Sequence, residues 1–231
     1  MSASANISHP YSPASLQLPH YVPNSKPLNE ILGVFFGATL VLAGATFYTS
    51  GGKKHLPFLD RLAVTWMAVC AAIHIVIEGY YSWYHASLAG HTTFLGELWK
   101  EYSLGDSRYL SSDTCVLTVE SVTAVIDGPL CILTVLAFFT QNRYRYLLQM
   151  LVSSFQLYGD VIYYITEILE NFAHGKKGHP LYFWFYFVFL NSWWLIVPVL
   201  LILRSFFKLS STQALADNQT DRSTSLKKKF K

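Results

Sequence analysis

Six ionisable residues, His74, Glu78, Glu120, Asp127, Asp160 and Glu167, stand inside stretches otherwise apolar enough to cross a membrane. A charged side chain at mid-bilayer costs about 2.5–3.5 kcal/mol on insertion scales, so such residues face a bundle interior or a cavity and mark functional sites by default. His74 and Glu78 are four apart, which on a helix places them on one face, one turn from each other. Glu120 with Thr123, and Asn191 with Trp194, share faces at a spacing of three. The set suits proton chemistry: a histidine that titrates near neutral pH, carboxyl groups in an apolar setting, and an indole whose face attracts a cation. No serine or cysteine stands beside a base as a nucleophile. His74 is the one mid-span histidine of eight, which excludes a multi-histidine iron box. A metal held by His74, Glu78 and Glu120 is the less favoured reading of the same residues. The absence of a basic stripe, a phosphate loop or zinc-ligand spacing argues against nucleic acid. Cys70, Cys115 and Cys131 are scattered among apolar residues and read as small buried hydrophobes.

These residues need helices to hold them. Charged residues make up 13% of the chain, against about 25% in soluble domains. A bilayer crossing takes about 20 helical residues. Five segments qualify: Ile31–Ser50, Leu62–Tyr84, Thr114–Thr140, Tyr146–Leu169 and Leu181–Phe207. The fold class predicted is an all-α integral membrane protein with five transmembrane helices around an intramembrane cavity. Gly51-Gly52-Lys53-Lys54, Gln141-Asn142-Arg143 and the stretch from His174 to Pro180 break the spans. The longest loop, His85–Asp113, has room for a short interfacial helix over Phe94–Tyr102. Three regions result: a polar segment over 1–30, a membrane domain over 31–207, and a tail over 208–231. The first region has no apolar signal-peptide core, so the first span is expected to be an uncleaved anchor. The tail, rich in Ser, Thr and Lys, is expected to be disordered.

Most of the 17 Lys and Arg residues fall on one side if the N-terminus is lumenal, which predicts a cytosolic C-terminus. The final Lys228-Lys229-Phe230-Lys231 resembles a dilysine retrieval signal and predicts residence in the endoplasmic reticulum; a lysine-rich tail attracted to lipid is the plainer reading. Glycosylation sequons at Asn6-Ile7-Ser8 and Asn218-Gln219-Thr220 can test the topology. At about 1.5 Å per residue, Glu78 and Glu120 both lie roughly 9 Å into the membrane, and His74 and Asn191 roughly 15 Å. Trp194 follows one turn deeper.

The segments Ile73–Gly79, Leu98–Tyr102, Gly105–Tyr109, Tyr158–Val161 and Gly178–Phe189 resemble, collinearly, the emopamil-binding-protein (EXPERA) superfamily of sterol isomerases. The resemblance runs from about His9 to Leu203. It implies a five-helix enzyme of the endoplasmic reticulum that moves a sterol double bond from C8–C9 to C7–C8 in sterol biosynthesis. It carries the family's site residues onto His74, Glu78, Glu120, Thr123, Asn191 and Trp194. Asp127 departs from the pattern, which more often has an aromatic before the Gly128-Pro129 pair, and receives no role. The chemistry implied is proton addition at C9 and removal at C7 through a C8 carbocation, with no cofactor. A coupled His74–Glu78 pair would handle one proton and Glu120 the other, with Asn191 and Thr123 orienting carboxyl groups and Trp194 facing the cation. Cationic amphiphilic amines would bind as mimics of that cation. Tyr102 and Tyr109 would close the lumenal mouth, and Phe183 and Tyr186, in the aromatic run Tyr182–Phe189, would line the sterol slot; interfacial anchoring and packing are the plainer readings of these four. Asp160 reads as mainly structural. The resemblance also implies a homodimer in membrane lipid. A non-catalytic sterol- or amine-binding protein of the same superfamily is the alternative; a proton-coupled transporter, the rival from another class, lacks the expected inverted repeat.

Overall fold

The computed structural model describes residues 8–229, with the side chains of 221 and 223–229 left out. The Asn6 sequon and the end of the dilysine sequence therefore lie outside the described residues. No β-strand occurs among the described residues.

Pro57 lies extended immediately before the second helix, where its missing N–H leaves no gap in the helical ladder. α1 spans Leu28–Gly51 and α2 spans Phe58–Tyr84. α3 (Phe94–Tyr102) begins where Thr93 Oγ1 accepts from the Gly96 N–H at 3.2 Å. A single turn, α4, covers Arg108–Ser111. α5 (Thr114–Phe139) is capped by Asp113, whose carboxylate accepts from the N–H groups of Cys115 and Val116, each at 3.0 Å. Caps of this kind satisfy the otherwise unpaired first N–H groups of a helix. α6 spans Arg145–Leu169. α7 starts as a π-helical run, Pro180–Leu190, and continues as an α-helix over Asn191–Lys229. The long helices pack in sequence, α1 on α2, α2 on α5, α5 on α6 and α6 on α7.

α1, α2, α5 and the Pro180–Thr220 stretch of α7 are long and apolar enough to cross a membrane. α6 has the expected length but not the composition, because it carries Gln149, Gln156, Asp160 and Glu167. Those residues are buried, while Leu147, Leu151, Phe155, Ile165 and Ile168 of the same helix are exposed. The bundle repeats this inversion elsewhere: Val125 on α5 is 74% exposed while Asp127, two residues on, is buried. Apolar outside and polar inside is the pattern of a helix solvated by lipid. The protein is thus an all-α, multi-pass membrane protein.

The tail expected to be disordered is instead a helical continuation of α7. Past Phe207 the chain keeps Leu, Gln, Ala and Lys and contains neither Gly nor Pro, so nothing local ends the helix. The polar N-terminal segment is also more ordered than its composition suggested. Residues 8–27 strap one end of the bundle and bury Tyr11, Leu18 and Tyr21 against Tyr81, Trp99 and Tyr109. The strap is pinned by polar contacts: Lys100 Nζ donates to the Val22 carbonyl at 2.6 Å, and Glu97 accepts from the Ser25 and Lys26 N–H groups at 3.0 Å each.

Candidate active site

Three of the helices that wall the interior depart from regular α-helix at or next to their polar residues. α2 is π-helical over Ile73–Glu78, α5 over Thr123–Asp127, and α7 over Pro180–Leu190. A π-turn widens the helix and shifts the residues after it to a new face, and such bulges recur at functional sites. The first two segments pack on each other. A Cβ at Gly128 would lie 2.4 Å from Ile75 Cγ1 and 3.4 Å from His74 Cβ, so the missing side chain lets α5 approach α2 beside His74.

The result is one cavity of about 690 Å³, within the range that holds small-molecule ligands. α1 supplies an apolar wall that includes Leu32, Phe35, Phe36 and Leu40. His74 Nδ1 lies 2.8 and 2.7 Å from the two oxygens of Glu78. Thr123 Oγ1 makes a short hydrogen bond with Glu78 Oε2 and also sits 2.9 Å from the Glu120 carbonyl. Tyr109 donates its phenol proton to Glu120 Oε1 at 2.6 Å. Glu120 and Glu78 are neighbours, so the array runs from Tyr109 through Glu120 and Glu78 to His74. At its far end His74 Nε2 meets the Gln156 amide nitrogen at 3.1 Å. The Trp194 ring stands 6.4 Å from the His74 ring at an interplanar angle of 66°, and Trp66 packs on Trp194 at 5.4 Å.

His74, Glu78, Glu120, Thr123, Asn191 and Trp194 all line this cavity. Asn191 does so in a different place from the one expected. Its amide donates to Tyr102 Oη at 2.8 Å and to the Phe187 carbonyl at 2.7 Å, and it accepts from Tyr102 at 3.1 Å, so its partners include no carboxyl group. Tyr102, Tyr109 and Tyr186 are on the wall, whereas Phe183 is not a lining residue and packs with Phe172 and Phe187. Asp127 is buried near His74, and neither of its carboxyl oxygens has a hydrogen-bond partner among the described residues.

Sequence reading passed over Gln156 and took Asp160, one of the six ionisable residues, as mainly structural; both are on the wall. Gln156 touches His74, and Asp160 faces the cavity with a buried, unpartnered Oδ2. The signal was their spacing of four on a helix whose polar residues also recur at Gln149, Ser153 and Glu167. Among the described residues the one grouping with metal-ligand spacing is Glu167, Glu170 and His174, away from the cavity. Arg108 pairs with Glu167 at 3.2 Å there, which disfavours a bound cation.

At the strapped end the acids are balanced. Arg108 donates from Nε to both Asp106 oxygens at 3.0 Å each and from a terminal nitrogen to Oδ2 at 2.6 Å. Burial weakens its charge, but Asp106 and Glu167 more than offset this and raise the guanidinium above its ordinary value. Burial tends to raise the Glu97 carboxyl, yet hydrogen bonds from the Ser25 side chain and from the Ser25 and Lys26 N–H groups hold it down at about 2. His174 is raised, chiefly by its hydrogen bond to Glu167 at 2.8 Å.

The EXPERA (EXPanded EBP superfamily) family model matches residues 94–205, which takes in Glu120, Asn191 and Trp194 but starts after α2. Full-length relatives extend the match across His74 and Glu78. The 3-beta-hydroxysteroid-Delta(8),Delta(7)-isomerase of Rattus norvegicus is 46% identical over 91% of this chain and 93% of its own. A probable isomerase of the same name from Arabidopsis thaliana is 37% identical over 96% of this chain and 98% of its own. A protoglabretal synthase of Ailanthus altissima is 33% identical over 91% and 96%. Identity at this level over more than nine-tenths of the chain settles the family: the chain belongs to the EXPERA superfamily.

Proposed function

We propose that this protein is a sterol Δ8–Δ7 isomerase, an enzyme of sterol biosynthesis that moves the C8–C9 double bond to C7–C8. The observation that carries this is the connected His74–Glu78–Glu120 array, two carboxyl groups and an imidazole along one wall of a largely apolar cavity. Relatives that cover nearly the whole chain bear that activity in their names.

Shifting an isolated alkene requires a proton delivered to C9 and another taken from C7, with positive charge at C8 between the two steps. An alkene is a weak base, so the acid must be held against it in a dry site. The His74–Glu78 pair handles one proton and Glu120 the other. Coupled groups titrate as a unit, so the roles belong to the array rather than to single members. Thr123 has one proton and two acceptors in reach. Its hydroxyl lies within reach of both Glu78 Oε2 and the Glu120 carbonyl, and so ties the Glu78 carboxyl to the Glu120 turn of α5. Tyr109 orients Glu120 by its hydrogen bond, and Gln156 fixes the His74 ring from the other nitrogen. Asn191 acts through Tyr102, holding the wall of the mouth. The C8 cation sits against the Trp194 face and the carboxyl groups, the electrostatic preorganisation that often contributes most to rate.

A protonated amine on an apolar frame matches that cation in charge and shape, so cationic amphiphilic amines compete with substrate. α6, apolar outside and polar inside, completes five spans. The N-terminus and the strapped end face the lumen of the endoplasmic reticulum, the tail with its terminal lysines faces the cytosol, and the chain works as a homodimer in lipid.

The direct test is conversion of a Δ8-sterol in D₂O by membranes containing this chain. Product with one deuterium at C9 is expected. Binding of sterol or amine with no product would replace the isomerase with a non-catalytic binding protein.

A further inference from the structure

The array accounts for the reacting end of the substrate but not for how a rigid tetracycle is held in register over it. A sterol has a single polar group, the ring-A hydroxyl, and burying it without a partner costs free energy comparable to a lost hydrogen bond. Three acid or amide side chains on the cavity wall, Glu101, Asn191 and Asp160, are outside the array and its direct contacts. Glu101 already accepts from Tyr186 at 2.9 Å, and Asn191 is satisfied by Tyr102 and the Phe187 carbonyl. Asp160 is the third. It is 9% exposed, it faces the cavity from α6, and its Oδ2 is buried with no hydrogen-bond partner among the described residues.

We propose that Asp160 is the anchor for the sterol hydroxyl, a binding site separate from the proton-transfer array. This rests on the sterol-isomerase reading. Three features place it. Asp160 is within electrostatic reach of Glu120 yet makes no hydrogen bond to it, which is the relation expected of groups holding different parts of one ligand. It stands one helical turn from Gln156, which touches His74, so the anchor and the array are mounted on one rigid wall. Its neighbour Gly159 also lines the cavity, and a side chain there would meet Val119 of α5 at 3.4 Å, so α6 and α5 lie close together beside the anchor. The hydroxyl can donate and accept, so it bonds to the carboxyl group in either protonation state, more strongly when the carboxyl is ionised. A buried polar group left unpaired in the empty protein is thereby paired in the complex.

The test compares two substrates in wild-type, Asp160→Asn and Asp160→Ala membranes: a 3β-hydroxy-Δ8-sterol and its 3-deoxy analogue. For the hydroxy sterol, Asp160→Ala is expected to raise KM about tenfold, the worth of one hydrogen bond to a charged group, with Asp160→Asn intermediate. kcat should stay within about threefold, because the group acts on binding rather than on the transition state alone. For the 3-deoxy sterol the wild type should already show the higher KM, and neither substitution should raise it further. Amine binding at the array reports that both variants are folded. Equal losses for the two sterols, or a wild type indifferent to the hydroxyl, overturns the anchor while leaving the isomerase reading intact. A wild type that converts neither sterol overturns that reading, and the anchor with it.

Discussion

At the strapped end Arg108 holds Asp106 at 2.6–3.0 Å and Glu167 at 3.2 Å, Lys26 faces Glu97 at 3.5 Å, and His174 adds a further donor to Glu167. Inside the cavity Glu78, Glu101, Glu120 and Asp160 face one histidine and neither a lysine nor an arginine. Both regions bury carboxyl groups, and the difference lies in what balances them. A carboxylate enclosed with a guanidinium or with backbone N–H groups is fixed in one charge state and serves as a clasp. A carboxyl group enclosed with another carboxyl group and an imidazole has protons to exchange. The contrast separates structure from chemistry without reference to sequence position, and it can be broken from either side.

The largest effect expected is on the clasp. Arg108→Leu leaves Asp106 and Glu167 buried without their cation, and breaking a buried pair in this way costs about 3–5 kcal/mol. Thermal unfolding in detergent should show the loss directly, with turnover falling only as folded protein is lost. An Arg108→Leu protein of undiminished stability would mean that the strapped end is not held by charge balance.

Next is Glu120→Gln, which keeps shape and hydrogen bonding but removes the exchangeable proton. Turnover of a Δ8-sterol should drop about a thousandfold, within the range for a positioned acid or base, while the unfolding temperature stays unchanged. Full turnover would remove Glu120 from the array. Trp194→Ala follows, with an expected loss of about tenfold to thirtyfold in both amine affinity and turnover, from a cation–π contact in a dry site. Loss of only one would break the identity of cation site and amine site.

How much of this the sequence disclosed depends on the range of the interaction. The helices were legible because a membrane imposes a length and a composition, and α3 came out at its expected bounds, Phe94–Tyr102. The His74–Glu78 contact was legible because it is local. α6 was counted as a span on length, but its inward polar face lowers the composition that would mark it as one. Tyr109 looked like a mouth residue, yet it reaches Glu120 because the α4 turn folds back over α5, a tertiary fact with no periodic signature. Asn191 was expected, from the resemblance, to orient a carboxyl group, and depth along its own helix only set it level with His74; the π-turns before it and the approach of α3 bring Tyr102 to it instead. Phe183 was indistinguishable from Tyr186 within a continuous aromatic run, because the face each takes is set by that π-helical stretch.

The smallest effects come from pH, and they test the contrast because its two clasps should weaken in opposite directions. Glu97 in the folded protein is held at about 2, below its ordinary 4.5, by Ser25 and Lys26 despite its burial. A depressed carboxyl group stabilises the fold above its unfolded value, and that contribution disappears as pH falls from about 4.5 towards 2. His174 is raised above its ordinary 6.5 by Glu167, so its contribution is complete below 6.5 and is lost as pH rises through the higher folded value. Melting temperature against pH should therefore fall at both edges. Glu97→Gln should flatten the acid edge alone, and His174→Gln the alkaline edge alone. Both variants should keep the wild-type pH profile of turnover, since neither group borders the cavity. A turnover profile that moved with either substitution would show that the clasps and the proton array are one electrostatic system, and the division between them would fall.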